Sequence, residues 1–260
     1  MKRTLIALFI TTILILSSVA TVSAKSDEST EPSFRAMEKT VFIHYKVPGK
    51  PPGTPGNGPG DKDPKPQDED GYKLFRGGIK WAKGDTPVSY LVNVGSIPNL
   101  QNPNGVNPLD EIKAAFEVWD DATSIELFDD NPRTTDIAVT SPYDANVIYW
   151  TNLGDTNIIA VTTFWWYRGK KELAAFDMEF NTQFDWGIDW DGENTIFELT
   201  NAMDIRNITT HEAGHTLVLE DLYQDQFAQM TMYGYSTEGE VKKISLEAGD
   251  IAGVQALYGN

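Results

Sequence analysis

The segment His211-Glu212-Ala213-Gly214-His215-Thr216-Leu217-Val218-Leu219-Glu220-Asp221 decides how the rest of this chain is read. It begins with two histidines four residues apart and a glutamate directly after the first. On a helix, side chains at i and i+4 lie on one face about 6 Å apart along the axis, so both imidazoles reach a single tetrahedral Zn²⁺. Glu212 projects at a neighbouring angle, within reach of a zinc-bound water without being a ligand itself. Zinc lowers the pKa of such a water toward ~7, and a carboxylate beside it takes the proton and later delivers it to a leaving amine. A pattern of three fixed residues also arises by chance. Here two of only three histidines in 260 residues fall at ligand spacing with a carboxylate between them, which weighs against coincidence.

Outward from this segment the chain alternates strand-like and helical stretches. The motif lies in a helical segment around Thr200 to Leu217, and a second runs from Ser245 to Tyr258 with Gly259 as its stop. Upstream, Asn107 caps a third helix in which Pro108 suits the first turn and Asp110 and Glu111 face the positive dipole end. Its apolar stripe is Ile112, Ala115, Phe116 and Trp119. Period-two alternation marks Thr86 to Val94, with Val88, Tyr90, Val92 and Val94 on one face. Further strands are predicted at Ser124 to Phe128, Asn146 to Thr151, Ile158 to Trp166 and Leu173 to Phe180. One sheet with three helices, an α+β fold, is the economical assembly, and it fills residues 71–260.

The N-terminal part reads differently. Lys2 and Arg3 precede an apolar run from Leu5 to Val19, and Val22-Ser23-Ala24 supplies a small-residue exit, the pattern of a signal peptide over residues 1–24. An uncleaved membrane anchor is the competing reading, since a spanning helix needs ~20 apolar residues. Residues 25–46 form a mixed segment, a candidate propeptide, with one strand-like piece at Thr40 to Tyr45. Residues 47–70 hold 7 of the 14 prolines and 5 glycines, a linker with almost nothing to bury.

Composition narrows the function. A 40% hydrophobic and 11% aromatic content fits a folded globular protein. The net charge of −17 argues against nucleic-acid partners, since a polyanion is repelled by it. Loss of the leader would leave 19 basic against 38 acidic groups, a net −19. The absence of cysteine excludes disulfide scaffolds, cysteine zinc fingers and thiol enzymes.

Zinc at His211 and His215 needs a third ligand, and Asp221 stands where the extended metzincin motif has its last histidine; a carboxylate serves at similar distance. Met230-Thr231-Met232-Tyr233-Gly234-Tyr235 resembles a Met-turn, and Leu246 to Gly259 resembles the closing helix of matrixins. On these residues the chain resembles a matrixin-type metzincin protease. The resemblance implies a twisted five-stranded sheet, mostly parallel, whose antiparallel edge strand lines the substrate cleft, with three helices. It also implies a zinc endopeptidase acting on protein or peptide substrates; the leader makes the protein secreted and, once removed, free of the membrane, and a monomer is expected. Carried over, His211, His215 and Asp221 bind zinc, Glu212 is the general base and Met232 is the hydrophobic floor under the metal.

Several residues depart from the family pattern. Val218 stands where the family usually has glycine, and a β-branched residue resists φ > 0 at ~1–3 kcal/mol, so a different turn is expected. A different turn would change the ligand, leaving Glu220 and then Glu247 as competitors of Asp221, the latter in a gluzincin-like arrangement. The family's latency cysteine and its three-histidine structural zinc site are both missing. His44 is the leftover histidine, either an incidental strand residue or a group that reaches the zinc and holds the enzyme latent. Asp185, Asp189, Asp191 and Glu193, with Gly187 and Gly192, are candidate calcium ligands, though solvated acidic loops look the same. A non-catalytic extracellular metal-binding module on the same fold is the alternative function. Retention of Glu212 favours an active enzyme.

Overall fold

The computed structural model describes residues 37–47, 70–142, 145–189, 199 and 201–259. The chain order is β1 (Met37–Lys46), β2 (Tyr90–Val92), β3 (Leu100–Gln101), α1 (Pro108–Asp120), β4 (Arg133–Thr134), β5 (Asn146–Thr151), β6 (Ile158–Tyr167) and β7 (Glu172–Asn181). It continues through β8 (Asp185–Gly187), β9 (Ala202–Asp204), α2 (Ile205–Thr216), β10 (Tyr235–Ser236) and α3 (Ala248–Tyr258). The main sheet has the order β10-β1-β6-β7-β5-β2-β4, and β3-β8-β9 form a small parallel sheet. The five strands β4, β2, β5, β7 and β6 make the mixed sheet that the matrixin resemblance implies, with only β6 antiparallel to its neighbour β7. Beyond β6, β1 and β10 extend it.

Helix α1 forms as its sequence dictates. Asn107 accepts from the Leu109 amide at 3.2 Å, Pro108 opens the helix, and Ile112, Ala115, Phe116 and Trp119 are all buried. Phe116 stacks on Tyr90 and meets Phe128 and Phe176 edge-on or tilted, which joins the helix to the sheet. The Trp119 indole donates to the Thr210 carbonyl at 3.0 Å, pinning α1 to α2.

Some predicted elements are shorter. Ser124 to Phe128 makes only an isolated bridge, Phe128 to Val88, because Thr123 turns the chain back with its hydroxyl, which donates to the Ile125 carbonyl and accepts from the Ile125 amide. Helix α2 starts at Ile205 rather than Thr200, since Asp204 caps it by accepting from the Asn207 amide at 2.6 Å. The predicted leader, residues 1–24, and most of the linker lie outside the described residues. Among the described residues no helix is long and apolar enough to cross a membrane.

Candidate metal centre

Helix α2 is buried almost along its whole length, with both histidines and Glu212 inaccessible to solvent. Its last turn is closed by the Trp81 indole, which donates to the Thr216 carbonyl at 3.1 Å. The chain then reverses through Val218, whose φ is +61°. The different turn expected from a valine here is therefore not found. The residue accepts the left-handed conformation because its surroundings over-determine it. Its amide donates to His215 O, its carbonyl accepts from the Phe75 amide at 3.0 Å, and the side chain is fully buried. The next amide, that of Leu219, returns to Gly214 O.

This turn carries Asp221 back under the helix. Its Oδ1 lies 3.2 Å from His211 Nε2 and 3.5 Å from His215 Nε2. Ligand atoms bound at ~2.0–2.1 Å around a tetrahedral zinc are about 3.3 Å apart, so these separations suit the edges of one coordination polyhedron. All three atoms are buried and, among the described residues, have no hydrogen-bond partner. The opposite ring nitrogens are both committed: His211 Nδ1 to the Thr231 carbonyl and His215 Nδ1 to the Leu219 carbonyl, each at 2.7 Å. A carbonyl demands a proton on Nδ1, which leaves Nε2 with the lone pair a metal needs. Tyr223 donates to Asp221 Oδ2 at 3.1 Å, orienting Oδ1 toward the histidines. Glu220 instead pairs with Lys73 at 2.9 Å, and Glu247 caps α3 in a capping box with Asp250.

Met232 packs against the helix at Gly214, where a Cβ would stand 2.3 Å from the methionine sulfur. The turn holding Met232 is fixed from α3, as Asp250 accepts from the Thr231 and Met232 amides at 2.9 and 3.1 Å. One chain of contacts therefore runs from Asp250 through Thr231 to His211. Sequence reading missed Asp250, Tyr223 and Thr162. Asp250 and Tyr223 lie near residues already singled out, but a backbone-pinning carboxylate carries no spacing signature.

Glu212 accepts from the Thr162 hydroxyl of β6 at 2.6 Å and lies 3.1 Å from His44 Nδ1 of β1. Burial pushes its carboxyl up to about 7, against the opposing pull of His215 and Thr162. Burial first, then His211 and Lys243, holds His44 well below the usual imidazole range, so it is neutral. Of the candidate calcium ligands, Asp185 accepts from Asn99 at 3.1 Å and the Asp189 amide donates to Asp204; Asp191 and Glu193 lie outside the described residues.

The sequence profile of the matrixin family matches residues 81–259, which span the five strands β2, β4, β5, β6 and β7, helix α2, the Asp221 turn and α3. The chain belongs to the matrixin family. Matrixins are metalloproteases that typically bind zinc, and the fold described above is theirs. The chain is also 28% identical over 182 residues to the hatching enzyme of Paracentrotus lividus, a stretch covering 70% of this chain and 27% of that protein. It thus spans about a quarter of the length of this curated relative. The matrixin match begins at residue 81, so β1 lies outside it.

Proposed function

We propose that this matrixin is a secreted zinc endopeptidase that hydrolyses internal bonds of protein or peptide substrates. His211, His215 and Asp221 are its metal ligands and Glu212 is its general base. The observation that carries this reading is the set of three buried, unpartnered ligand atoms at tetrahedral spacing, beside a carboxylate outside that set. Zinc bound there supplies Lewis acidity to a water and to the scissile carbonyl. The chain's own residues do the rest. Thr162 holds Glu212 Oε2, which leaves Oε1 as the oxygen that takes the water's proton and returns it to the leaving amine. A carboxyl raised to about 7 is matched to proton transfer near neutral pH. Met232 closes the apolar floor beside Gly214. Secretion rests on the apolar leader of residues 1–24 and its small-residue exit.

The test is zinc content together with peptide hydrolysis for the parent and Glu212→Ala. About one zinc per chain is expected in both, with activity reduced on the order of 10²–10⁴-fold in the variant. A Glu212→Ala protein with parental activity would overturn the assignment of the base.

A further inference from the structure

Strand β1 occupies the space directly over this centre. It pairs antiparallel with the edge strand β6 from Met37↔Tyr167 to Tyr45↔Ile158, and parallel with β10 through Tyr45↔Tyr235 and Lys46↔Ser236. The matrixin sheet is complete without it, so β1 fills a slot between two strands that would otherwise both be edges. Phe42 and His44 share one face of β1 and both point down onto α2. The Phe42 ring stacks on His215 at 4.4 Å between centroids and packs against Phe75 and Phe164. The His44 ring lies 3.9 Å from that of His211.

The hydrogen-bond pattern fixes what His44 does. Lys243 is fully buried, and its ammonium has three donors for three acceptors: the Tyr233 carbonyl, the Tyr235 carbonyl at 3.1 Å and His44 Nε2 at 3.3 Å. An ammonium carries no acceptor, so His44 Nε2 must accept and the ring proton sits on Nδ1. That proton faces Glu212 Oε1 at 3.1 Å. The oxygen assigned above to proton transfer is therefore already taken. Both ring nitrogens of His44 are used, one by the base and one by Lys243, with neither left over for a metal.

We propose that β1 is a built-in blocking strand, held in the cleft by the Lys243–His44–Glu212 relay and by Phe42, that switches the enzyme off by occupying its base rather than its metal. This rests on the peptidase reading above. A cut within residues 47–70, the proline- and glycine-rich stretch that follows β1 in the sequence, is then a way to set the strand free. Release uncovers Glu212 Oε1 and the slot between β6 and β10 together.

The test places a recognition site for a specific processing protease among residues 55–63 of the full chain and compares uncut with cut protein. Peptide hydrolysis and amide hydrogen exchange of β6 are the two readouts. Cutting should raise hydrolysis tenfold or more and speed exchange of the β6 amides that face β1. A synthetic peptide of residues 37–46 should reverse both, and its His44→Ala form should bind about tenfold or more weakly. Zinc affinity of the uncut His44→Ala chain should stay within about threefold of the parent, because His44 is not a ligand. Unchanged hydrolysis and unchanged β6 exchange after cutting would overturn the proposal, as would a tenfold or larger loss of zinc affinity in His44→Ala. Cut protein whose β6 is exposed and reprotected by the peptide, yet which hydrolyses nothing, would uphold the strand as an occupant and overturn the peptidase reading instead.

Discussion

Helix α2 and its turn gather four functional side chains within the eleven residues from His211 to Asp221, whereas β1 brings His44 to the same carboxylate from 168 positions away. The first arrangement is set by helical pitch and one reverse turn. The second exists only because a sheet register is satisfied along nine residue pairs from Met37 to Tyr45. A site built from local geometry survives loss of distant contacts, while a block built on strand pairing is removed by one cut in the stretch that follows it. The enzyme's chemistry and its restraint are thus carried by structures of different robustness.

The sharpest way to break the local half is Gly214→Ala. Its Cβ would stand 2.3 Å from the Met232 sulfur and 2.8 Å from the Trp119 ring, so the helix, the methionine turn and α1 must shift apart. A loss of about 3 kcal/mol in urea-induced unfolding is expected. Unaltered stability would mean that the packing beneath the metal is loose. Tyr223→Phe should be milder, removing only the hydroxyl that aims Asp221. Zinc affinity, measured by competition with a chelator, should fall about tenfold. Since Tyr223 touches neither β1 nor Glu212 in the contacts described, binding of the 37–46 peptide should stay the same. A change in peptide binding without a change in zinc affinity would reverse the roles given to the two regions.

Asp120, at the far end of α1, should have the smallest effect and act as a control. Burial pushes its carboxyl up to about 7, and its Oδ2 has no partner among the described residues. The folded state binds this proton more tightly than the unfolded chain does. The group's contribution is therefore fully present below about pH 4 and is lost as pH rises through about 7. Asp120→Asn should be about 1 kcal/mol more stable than the parent at pH 8 and nearly equal at pH 4, by urea melts at the two pH values. A variant that is less stable at pH 8 would show that the ionised carboxylate is a net asset.

The two regions also differ in how legible they were in the sequence. The α1 stripe, strands β5, β6 and β7, and the His211–His215 pair follow from periodicity, because each is decided by neighbours within a few residues. The reach of Asp221 follows from spacing once the turn after α2 is granted. The turn itself is not legible there: valine's local preference argues against φ +61°, and only its bonds to His215 and Phe75, with that of Leu219 to Gly214, overcome it. Thr162, Lys243 and Asp250 left no sequence signal, since each acts on a residue 18 to 50 positions away or, for Lys243, on one 199 positions away. His44 stood out by scarcity alone. That it meets Glu212 and lies tilted against the His211 ring is fixed by the β1–β6 register, which no short-range pattern encodes.

Lys243 has a consequence for whatever enters the cleft after β1 has left. Two of its N–H groups stay anchored on the Tyr233 and Tyr235 carbonyls, while the third loses the imidazole nitrogen and points into the vacated seat. Burial lowers this ammonium only to about 8, so at neutral pH it still carries its charge. An incoming chain gains by offering an acceptor, a carbonyl oxygen or a carboxylate, at the height where His44 lay, and loses by presenting a bare methyl there. The lysine that bolts the cleft shut thereby becomes a fixed selector among its visitors, on a protein whose overall charge of −17 would by itself turn acidic ones away.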